Sequence, residues 1–270
     1  MRLINRRPDR GTSLLLAMLP FVLVVIAYVL GSAERLAENP ADKLLPSLST
    51  LAETIGRVAF VADERTGNYM LWADTLASLE RLIIALALST AIALVLGMLI
   101  GLLPLLNSFL APFVAIISMV PPLALLPILF IVMGLGEASK IALIVIGVSP
   151  FLTRDLAMRV QELPKEQIIK AETLGASTWQ IALRVVLPQI LPRLIDALRL
   201  SLGPAFLFLI AAEAIASDSG LGYRIFLVRR YLAMDVILPY VAWITLLSVA
   251  MDFGLARLRD KAFPWFGGAR

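Results

Sequence analysis

Three ionisable residues lie in a stretch of sequence that is otherwise apolar, and they are the first candidates for chemistry. Asp196 and Arg199 fall near the start of residues 195–216, and Glu213 falls near the end. An ionisable side chain in a membrane-spanning helix is costly, so it is a functional candidate by default. Asp196 and Arg199 can instead pair with each other, since residues three apart share a helix face. Glu213 can line a path or gate, or it can pair with a nearby arginine, of which there are three: Arg224, Arg229 and Arg230.

Prolines in two of the apolar stretches are candidates for functional bends. Pro121, Pro122 and Pro127 fall within residues 109–133, and Pro204 follows Gly203 in the stretch that holds Glu213. A proline in a membrane helix frees backbone carbonyls that neighbouring helices or water must satisfy. These prolines are therefore either tolerated kinks or bends that line a translocation path or gate.

Several kinds of chemistry are excluded by residue types that the chain lacks. It has no cysteine and no histidine, which excludes disulfides, thiol catalysis, haem ligation and ordinary zinc or copper sites. It has no G-x-x-x-x-G-K-[ST] phosphate loop. We therefore expect no catalytic residue, no metal site and no cofactor in this chain. The net charge of +4 is explained by cationic loops at a membrane, so we expect no nucleic-acid partner.

The composition places the chain in a membrane. Hydrophobic residues make up 60% of it and charged residues 16%, whereas soluble domains contain about 45–50% and about 25%. A spanning helix needs about 20 mostly apolar residues. Six segments qualify, and we predict an all-α fold with about six transmembrane helices: 13–31, 82–103, 109–133, 141–152 extended by a turn at each end, 195–216 and 236–255. The first can also be read as a signal peptide, but its apolar run is long and no cleavage site follows it.

The basic residues predict the orientation of the chain. Most Lys and Arg residues lie before the first span, between the fourth and fifth spans, and after the last one. Cytoplasmic segments carry the excess of positive charge, so both termini are predicted to be cytoplasmic. The predicted organisation is a cytoplasmic N-terminus 1–12, a first helix 13–31, a periplasmic segment 32–75, a core 76–257 and a cytoplasmic tail 258–270.

The periplasmic segment is expected to contain an amphipathic helix and then a turn. Leu48, Leu51, Ile55 and Val58 recur at helical spacing. The turn is predicted at Thr66-Gly67-Asn68.

The longest segment on the cytoplasmic side predicts a helical hairpin. Pro164 can start a helix over residues 165–174, and Gly175 can end it because glycine tolerates positive φ. Ser177-Thr178 can cap a second helix over residues 179–187. Pro188 and Pro192 are then expected to break the chain before it re-enters the membrane. A loop between two spans needs only a few residues, so this segment is interpreted as a docking surface.

The hairpin resembles the EAA loop of permeases in bacterial ATP-binding-cassette (ABC) importers. In that family the pattern is Glu-Ala-Ala, three residues, Gly, nine residues, an aliphatic residue, one residue and Leu-Pro. Here the pattern is matched by Ala171, Gly175, Val185 and Leu187-Pro188. The first two positions depart from it, since Ile169 stands where Glu is usual and Lys170 where Ala is usual.

Other stretches are similar to one branch of this family, the nitrate, sulfonate, taurine and bicarbonate permeases. The resemblance extends in order over residues 44–265. It is carried by residues 44–47 (LLPS), 121–127 (PPLALLP), 130–136 (FIVMGLG) with Lys140-Ile141, Ala212-Glu213, 219–223 (SGLGY) and 263–265 (FPW).

The resemblance implies a type I ABC importer transmembrane domain in a bacterial inner membrane. A second permease copy would complete the path as a homodimer, and two ATPase subunits would bind ATP and Mg²⁺ outside this chain. A periplasmic binding protein would deliver a small polar solute, such as an oxyanion, a sulfonate, or a urea- or guanidine-like compound. The coupling loop, residues 158–192, would contact the ATPase through Lys165, Glu166, Lys170, Ala171, Glu172, Gly175, Ala176, Ser177, Trp179, Leu187 and Pro188.

Two other classes fit the composition less well. A secondary transporter driven by an ion gradient would need inverted repeats and buried coupling charges near the bilayer midplane. We find no convincing inverted repeat, and the charges cluster at the ends of the spans. A membrane-embedded enzyme would need a nucleophile, a carboxylate pair or a metal constellation in a chain without His or Cys.

Overall fold

The computed structural model of the chain describes residues 8–40, 42–64 and 67–266. Over these ranges the regular structure is helical, and the β-type pairing is an isolated bridge between Ala62 and Tyr69. This confirms the predicted all-α fold. Parts of three predicted features lie outside the described residues: 1–7 of the N-terminal segment, Thr66 of the turn and 267–270 of the tail.

Contacts group the chain into two units, and the first is Met1–Tyr69 with Val228–Tyr240. It contains α1 (Arg10–Glu38) and α2 (Leu48–Phe60). The turn between them is held to α1, because Tyr28 Oη donates to Pro46 O (2.6 Å) and Ser32 Oγ donates to Leu45 O (2.9 Å).

Helix α2 occupies the region for which apolar spacing predicted an amphipathic helix. Ser47 caps its N-terminus by accepting from the Thr50 backbone N–H (3.2 Å), which satisfies one of the free donors of the first turn. On its buried side, Thr54 Oγ1 donates to Asp235 Oδ2 (3.1 Å). Capping and this polar contact thus fix α2 within the first unit.

The second unit is Met70–Leu227 with Val241–Arg270. Its helices are α3 (Met70–Leu102), α4 (Pro104–Ile117), α5 (Pro122–Met133), α6 (Glu137–Gln161), α7 (Lys165–Thr173), α8 (Thr178–Ala216) and α9 (Leu221–Val228), together with the part of α10 (Met234–Ala262) from Val241 onward. Helix α6 packs against α3 and α8, and these three form the core. Its fully buried side chains include Leu82, Leu143, Leu152, Leu156 and Leu209.

Over the described ranges, five helices are long and apolar enough to cross a membrane, and the number is six if the bent pair α4 and α5 is counted as one span. This agrees with the prediction of about six spans. The predicted span over residues 109–133 is bent at its prolines, since α4 and α5 meet at 92°. The cause is the Pro121-Pro122 pair. A residue before proline is pushed out of the α region, and Pro121 accordingly has ψ 113°.

The expected break at Pro188 and Pro192 is wrong. Both prolines lie within α8, which runs unbroken from Thr178 to Ala216. A proline ring clashes with the carbonyl four residues earlier, which for Pro188 belongs to Arg184. Residues Ile181–Val186 form a π-helical turn at this point. That wider turn makes room for the ring, so the helix continues into the membrane.

Candidate functional site

The hairpin between α6 and α8 reverses direction at Gly175. Helix α7 follows Pro164 and carries Glu166 in its first turn, as expected from the sequence. At its end the Gly175 N–H donates to Glu172 O (2.9 Å) and the Ala176 N–H donates to Ala171 O (3.0 Å). Gly175 has φ +80°, a conformation that glycine adopts without strain. The predicted helix and its glycine stop are therefore confirmed.

Ser177 starts the second arm of the hairpin. Its Oγ accepts from the Gln180 backbone N–H (3.3 Å), and Gln180 Oε1 accepts from the Ser177 backbone N–H (2.8 Å). This reciprocal pair is a capping box, which satisfies two backbone donors that the first turn leaves free. The turn between α7 and α8 is thus fixed by local interactions on both sides.

Part of the hairpin packs against the helices of the membrane bundle. Ile168, Ala171, Ala176 and Val185 are partly buried against a cluster of buried side chains from α6, the loop that follows it, and α8: Leu156, Val160, Leu163, Ile181, Val186, Ile190 and Leu194. Glu162 adds a polar tie between the two helices by accepting from Arg159 Nη1 and Arg193 Nη1, both at 3.2 Å. The base of the hairpin is therefore held to α6 and α8 by both apolar and polar contacts.

The hairpin also exposes apolar side chains. None of the residues of α7 is buried. Ile169 is 55% exposed, Leu174 79% and Trp179 70%. Exposed large apolar side chains close in sequence on one segment are candidates for an interaction surface. We call these three residues the apolar ridge.

The residues predicted from the sequence to contact the ATPase differ in exposure. Four of them are half-buried: Ala171, Ala176, Leu187 and Pro188. The exposed members are Lys165, Glu166, Lys170, Glu172, Gly175, Ser177 and Trp179. Ile169 and Leu174 were not in the predicted set. A signal for Ile169 was available, because neighbouring residues such as Ile168 and Ile169 cannot both face the bundle on one helix.

The prolines proposed for a path or gate are only partly brought together. Pro122 and Pro204 line one cavity of about 270 Å³, together with Ser118, Ser201 and Phe208. Pro121 precedes α5 as its cap, and Pro127 lies inside α5. The cavity thus joins the bend of the α4–α5 pair to the Gly203-Pro204 position of α8.

Glu213 does not face open space. Its side chain is fully buried and accepts hydrogen bonds from Ser78 Oγ (2.8 Å), Arg81 Nη1 (2.7 Å) and the Gly222 backbone N–H (2.8 Å). Its cationic partner is therefore Arg81, and not one of the three arginines that the sequence suggested. Arg81 lies just before the predicted start of a span at Leu82, and its charge at that edge was the available signal.

Asp196 and Arg199 pair as the simpler interpretation predicted. Arg199 Nη1 contacts Asp196 Oδ1 at 3.2 Å. Each residue also contacts α10. Arg199 donates two hydrogen bonds to the Asp252 carboxylate, from Nε (2.8 Å) and Nη2 (2.9 Å), and Asp196 accepts a hydrogen bond from Arg259. These four side chains tie α8 to α10. In the part of the chain that the structure describes, no three metal-ligating side chains are grouped.

The chain is similar to several known proteins. The family model described as binding-protein-dependent transport system inner membrane component matches residues 93–262, a range that includes the hairpin. The taurine transport system permease protein TauC of Escherichia coli (strain K12) is 35% identical over 84% of this chain and 80% of its own. The bicarbonate transport system permease protein CmpB of Synechocystis (strain PCC 6803) is 30% identical over 72% of this chain and 70% of its own.

A solved structure shares the fold. A chain of the MetNI methionine ABC transporter, in inward-facing conformations, superposes with a TM-score of 0.61 at 22% identity. The superposition covers 68% of this chain and 92% of that one. At this level of identity the likeness concerns the fold alone.

Proposed function

Since the chain belongs to the family of binding-protein-dependent transport system inner membrane components, it is the permease subunit of an ABC importer, and we propose that its hairpin receives the ATPase subunit. A permease subunit is not an enzyme in itself. An importer of this kind works with an ATPase and a solute-binding protein. The proposal assigns one of these contacts to residues 164–188.

The observation that carries the proposal is that the hairpin combines exposed and packed apolar side chains. Ile169, Leu174 and Trp179 of the apolar ridge are exposed, whereas Ile168, Ala171, Ala176 and Val185 pack on the cluster of α6 and α8. A partner that pushes on the ridge therefore moves the two helices and does not merely deform a loop. This is the mechanical requirement for turning ATP-driven closure into a rigid-body movement of spans.

The proposed assembly contains two copies of this chain and two ATPase subunits. The ATPases hold ATP and Mg²⁺, which is supported by the lack of a phosphate loop in this sequence. The hairpins would move when the ATPases close, and the path between the two copies would switch its open side. The solute-binding protein would dock on the opposite face of the membrane.

The proposed orientation in the bacterial inner membrane has both termini and the hairpin in the cytoplasm. The distribution of Lys and Arg residues supports it. Residues 32–75, with α2, are then periplasmic.

The proposed solute is small and polar, as taurine and bicarbonate are. The names of two relatives support this class. The cavity that Pro122 and Pro204 line has a volume of about 270 Å³, which suits a small solute better than a large one. We propose that this cavity borders the path and that the prolines shape it. A urea- or guanidine-like solute is the second class to test, with the solute-binding protein as the probe.

The test is co-purification of the ATPase subunit with variants of the apolar ridge. Trp179→Ala with Leu174→Ala is expected to weaken ATPase binding tenfold or more, since large anchors dominate interface energies. The matched control is Trp265→Ala, because Trp265 is similarly exposed at 65% but lies outside the hairpin. Replacing residues 164–180 by a flexible linker should abolish binding while the protein still inserts.

Two results would contradict the proposal. One is normal ATPase binding and solute uptake by the linker variant. The other is solute transport by the purified chain alone without ATP, which would favour a secondary transporter.

A further inference from the structure

Arg81 makes an unusually complete set of contacts. A guanidinium group has five N–H donors in a fixed fork, and here each has an acceptor. Nη1 donates to Glu213 Oε1 (2.7 Å) and Ser219 O (2.9 Å), and Nη2 donates to Glu137 Oε1 (2.9 Å) and Ser219 Oγ (3.3 Å). Nε donates to Glu137 Oε2. Because no donor is left over for a solute, the arrangement indicates a structural connection rather than a binding site.

The contacts of Arg81 join three helices and one loop. Arg81 lies on α3, Glu137 begins α6, Glu213 lies near the end of α8, and Ser219 lies in the loop that follows α8. Arg81 is only 6% exposed and Glu213 is fully buried. Removing one partner of a buried ion pair strongly destabilises a protein, because the other charge is left buried and unpaired. We call Arg81, Glu137, Glu213 and Ser219 the arginine clamp.

Neighbouring contacts hold the same loop from the side. Asp74 Oδ1 accepts from the Gly220 N–H (3.1 Å) and Ser78 Oγ accepts from the Leu221 N–H (2.8 Å). A Cβ at Gly220 would lie 2.5 Å from the Glu213 carboxyl group. The loop after α8 therefore packs closely against the arginine clamp and against α3.

The position of the clamp relative to the hairpin is the basis of the inference. Helix α6 runs from Glu137 to the hairpin, and α8 runs from the hairpin to Ala216. With 25 residues, α6 separates its two ends by about 37 Å. The same two helices are therefore joined at one end by the hairpin and at the other by Arg81.

We propose that Arg81 is a positioning residue that makes α3, α6 and α8 move as one body when the ATPase displaces the hairpin. Without the clamp, α6 and α8 would still be driven at the hairpin end, but their far ends could slide or splay. ATP would then be hydrolysed without opening the far side of the path. The inference rests on the proposed coupling role of the hairpin.

The first experiment compares solute uptake with ATP hydrolysis in the complete reconstituted importer. Arg81→Lys keeps the charge but loses the planar fork, so it cannot serve both carboxylates and Ser219 at once. We expect uptake per ATP hydrolysed to fall tenfold or more, with ATPase activity within about twofold of the parent. Arg35→Lys is the matched control. Arg35 pairs with Asp42 (2.5 Å) in the first unit, outside the clamp, and normal coupling is expected.

A second readout does not depend on transport. Spin labels at Leu76→Cys on α3 and Asp218→Cys in the loop report the distance across the clamp in the otherwise cysteine-free chain. Both positions are exposed. We expect a narrow distance distribution in the parent importer and a broad one with Arg81→Lys. An unchanged distribution together with unchanged coupling would overturn the proposal.

A milder variant covers the case in which Arg81→Lys does not assemble. Glu137→Gln removes one charge from the clamp at a side chain that is 56% exposed, so folding is expected to survive. It should broaden the distances and lower coupling in the same direction, and parent-like behaviour would count against the clamp. Gly175→Val, measured in parallel, tests the hairpin itself. If that variant stays coupled, the proposed function fails; if it uncouples while Arg81→Lys does not, only the clamp fails.

Discussion

At the scale of single residues, Gly175 shows how a backbone conformation can matter without any packing contact. Its φ is +80°, yet a Cβ added there would meet no atom within 4 Å. A larger residue would therefore be strained only by its backbone, and an L-residue in this region is disfavoured by roughly 1–2 kcal/mol. β-branched residues are the least tolerant of it.

We predict that Gly175→Val leaves membrane insertion intact but uncouples ATP hydrolysis from solute uptake. The strained turn would shift α7 relative to the capping box at Ser177, and the apolar ridge would be displaced. The measurement is uptake per ATP in proteoliposomes. Gly175→Asn is the matched control, because asparagine adopts the left-handed region readily, and it should behave like the parent. Unchanged uptake by the valine variant would contradict the coupling role.

At the scale of helices, α3 and α6 approach closely along a glycine pair. Gly97 and Gly101 lie four residues apart on α3, in the small-xxx-small spacing that lets membrane helices pack. A Cβ at Gly101 would lie 2.5 Å from Val160 Cβ and 3.0 Å from the Ala157 carbonyl oxygen. Val160 belongs to the cluster that supports the hairpin, so this contact fixes the base of the docking element.

We predict that Gly101→Ala lowers the thermal stability of the purified protein in detergent. The added methyl group must push α3 from α6, and overpacking of this kind costs typically 1–3 kcal/mol. Gly203→Ala is the control, because a Cβ there meets nothing within 4 Å and alanine has the higher helix propensity. An equal or higher melting temperature for Gly101→Ala would show that the interface can adjust.

At the scale of the whole molecule, the proposed function depends on which side of the membrane holds the hairpin. The orientation proposed from the Lys and Arg distribution predicts that α7 is cytoplasmic and α2 periplasmic. The chain lacks cysteine, so single introduced thiols report accessibility without a background.

We predict that Thr173→Cys reacts with a membrane-impermeant maleimide only after the inner membrane is permeabilised. Ala52→Cys on α2 should react in intact spheroplasts, since its position is exposed and assigned to the periplasm. Uptake is measured for each variant beside the labelling, so that only functional importers are compared. Labelling of Thr173→Cys from outside would remove the basis for ATPase docking.

The sequence by itself determined the features that depend on neighbouring residues. The glycine stop at Gly175, the Ser177 cap and the number of spans follow from backbone preference, capping chemistry and apolar length, which act within a few residues. Only the tertiary structure decided that Glu213 pairs with Arg81 across 132 positions and that the π turn keeps α8 unbroken through Pro188. The physical reason is range: a charge selects whichever opposite charge folding brings beside it, and sequence spacing between distant helices does not encode that neighbour.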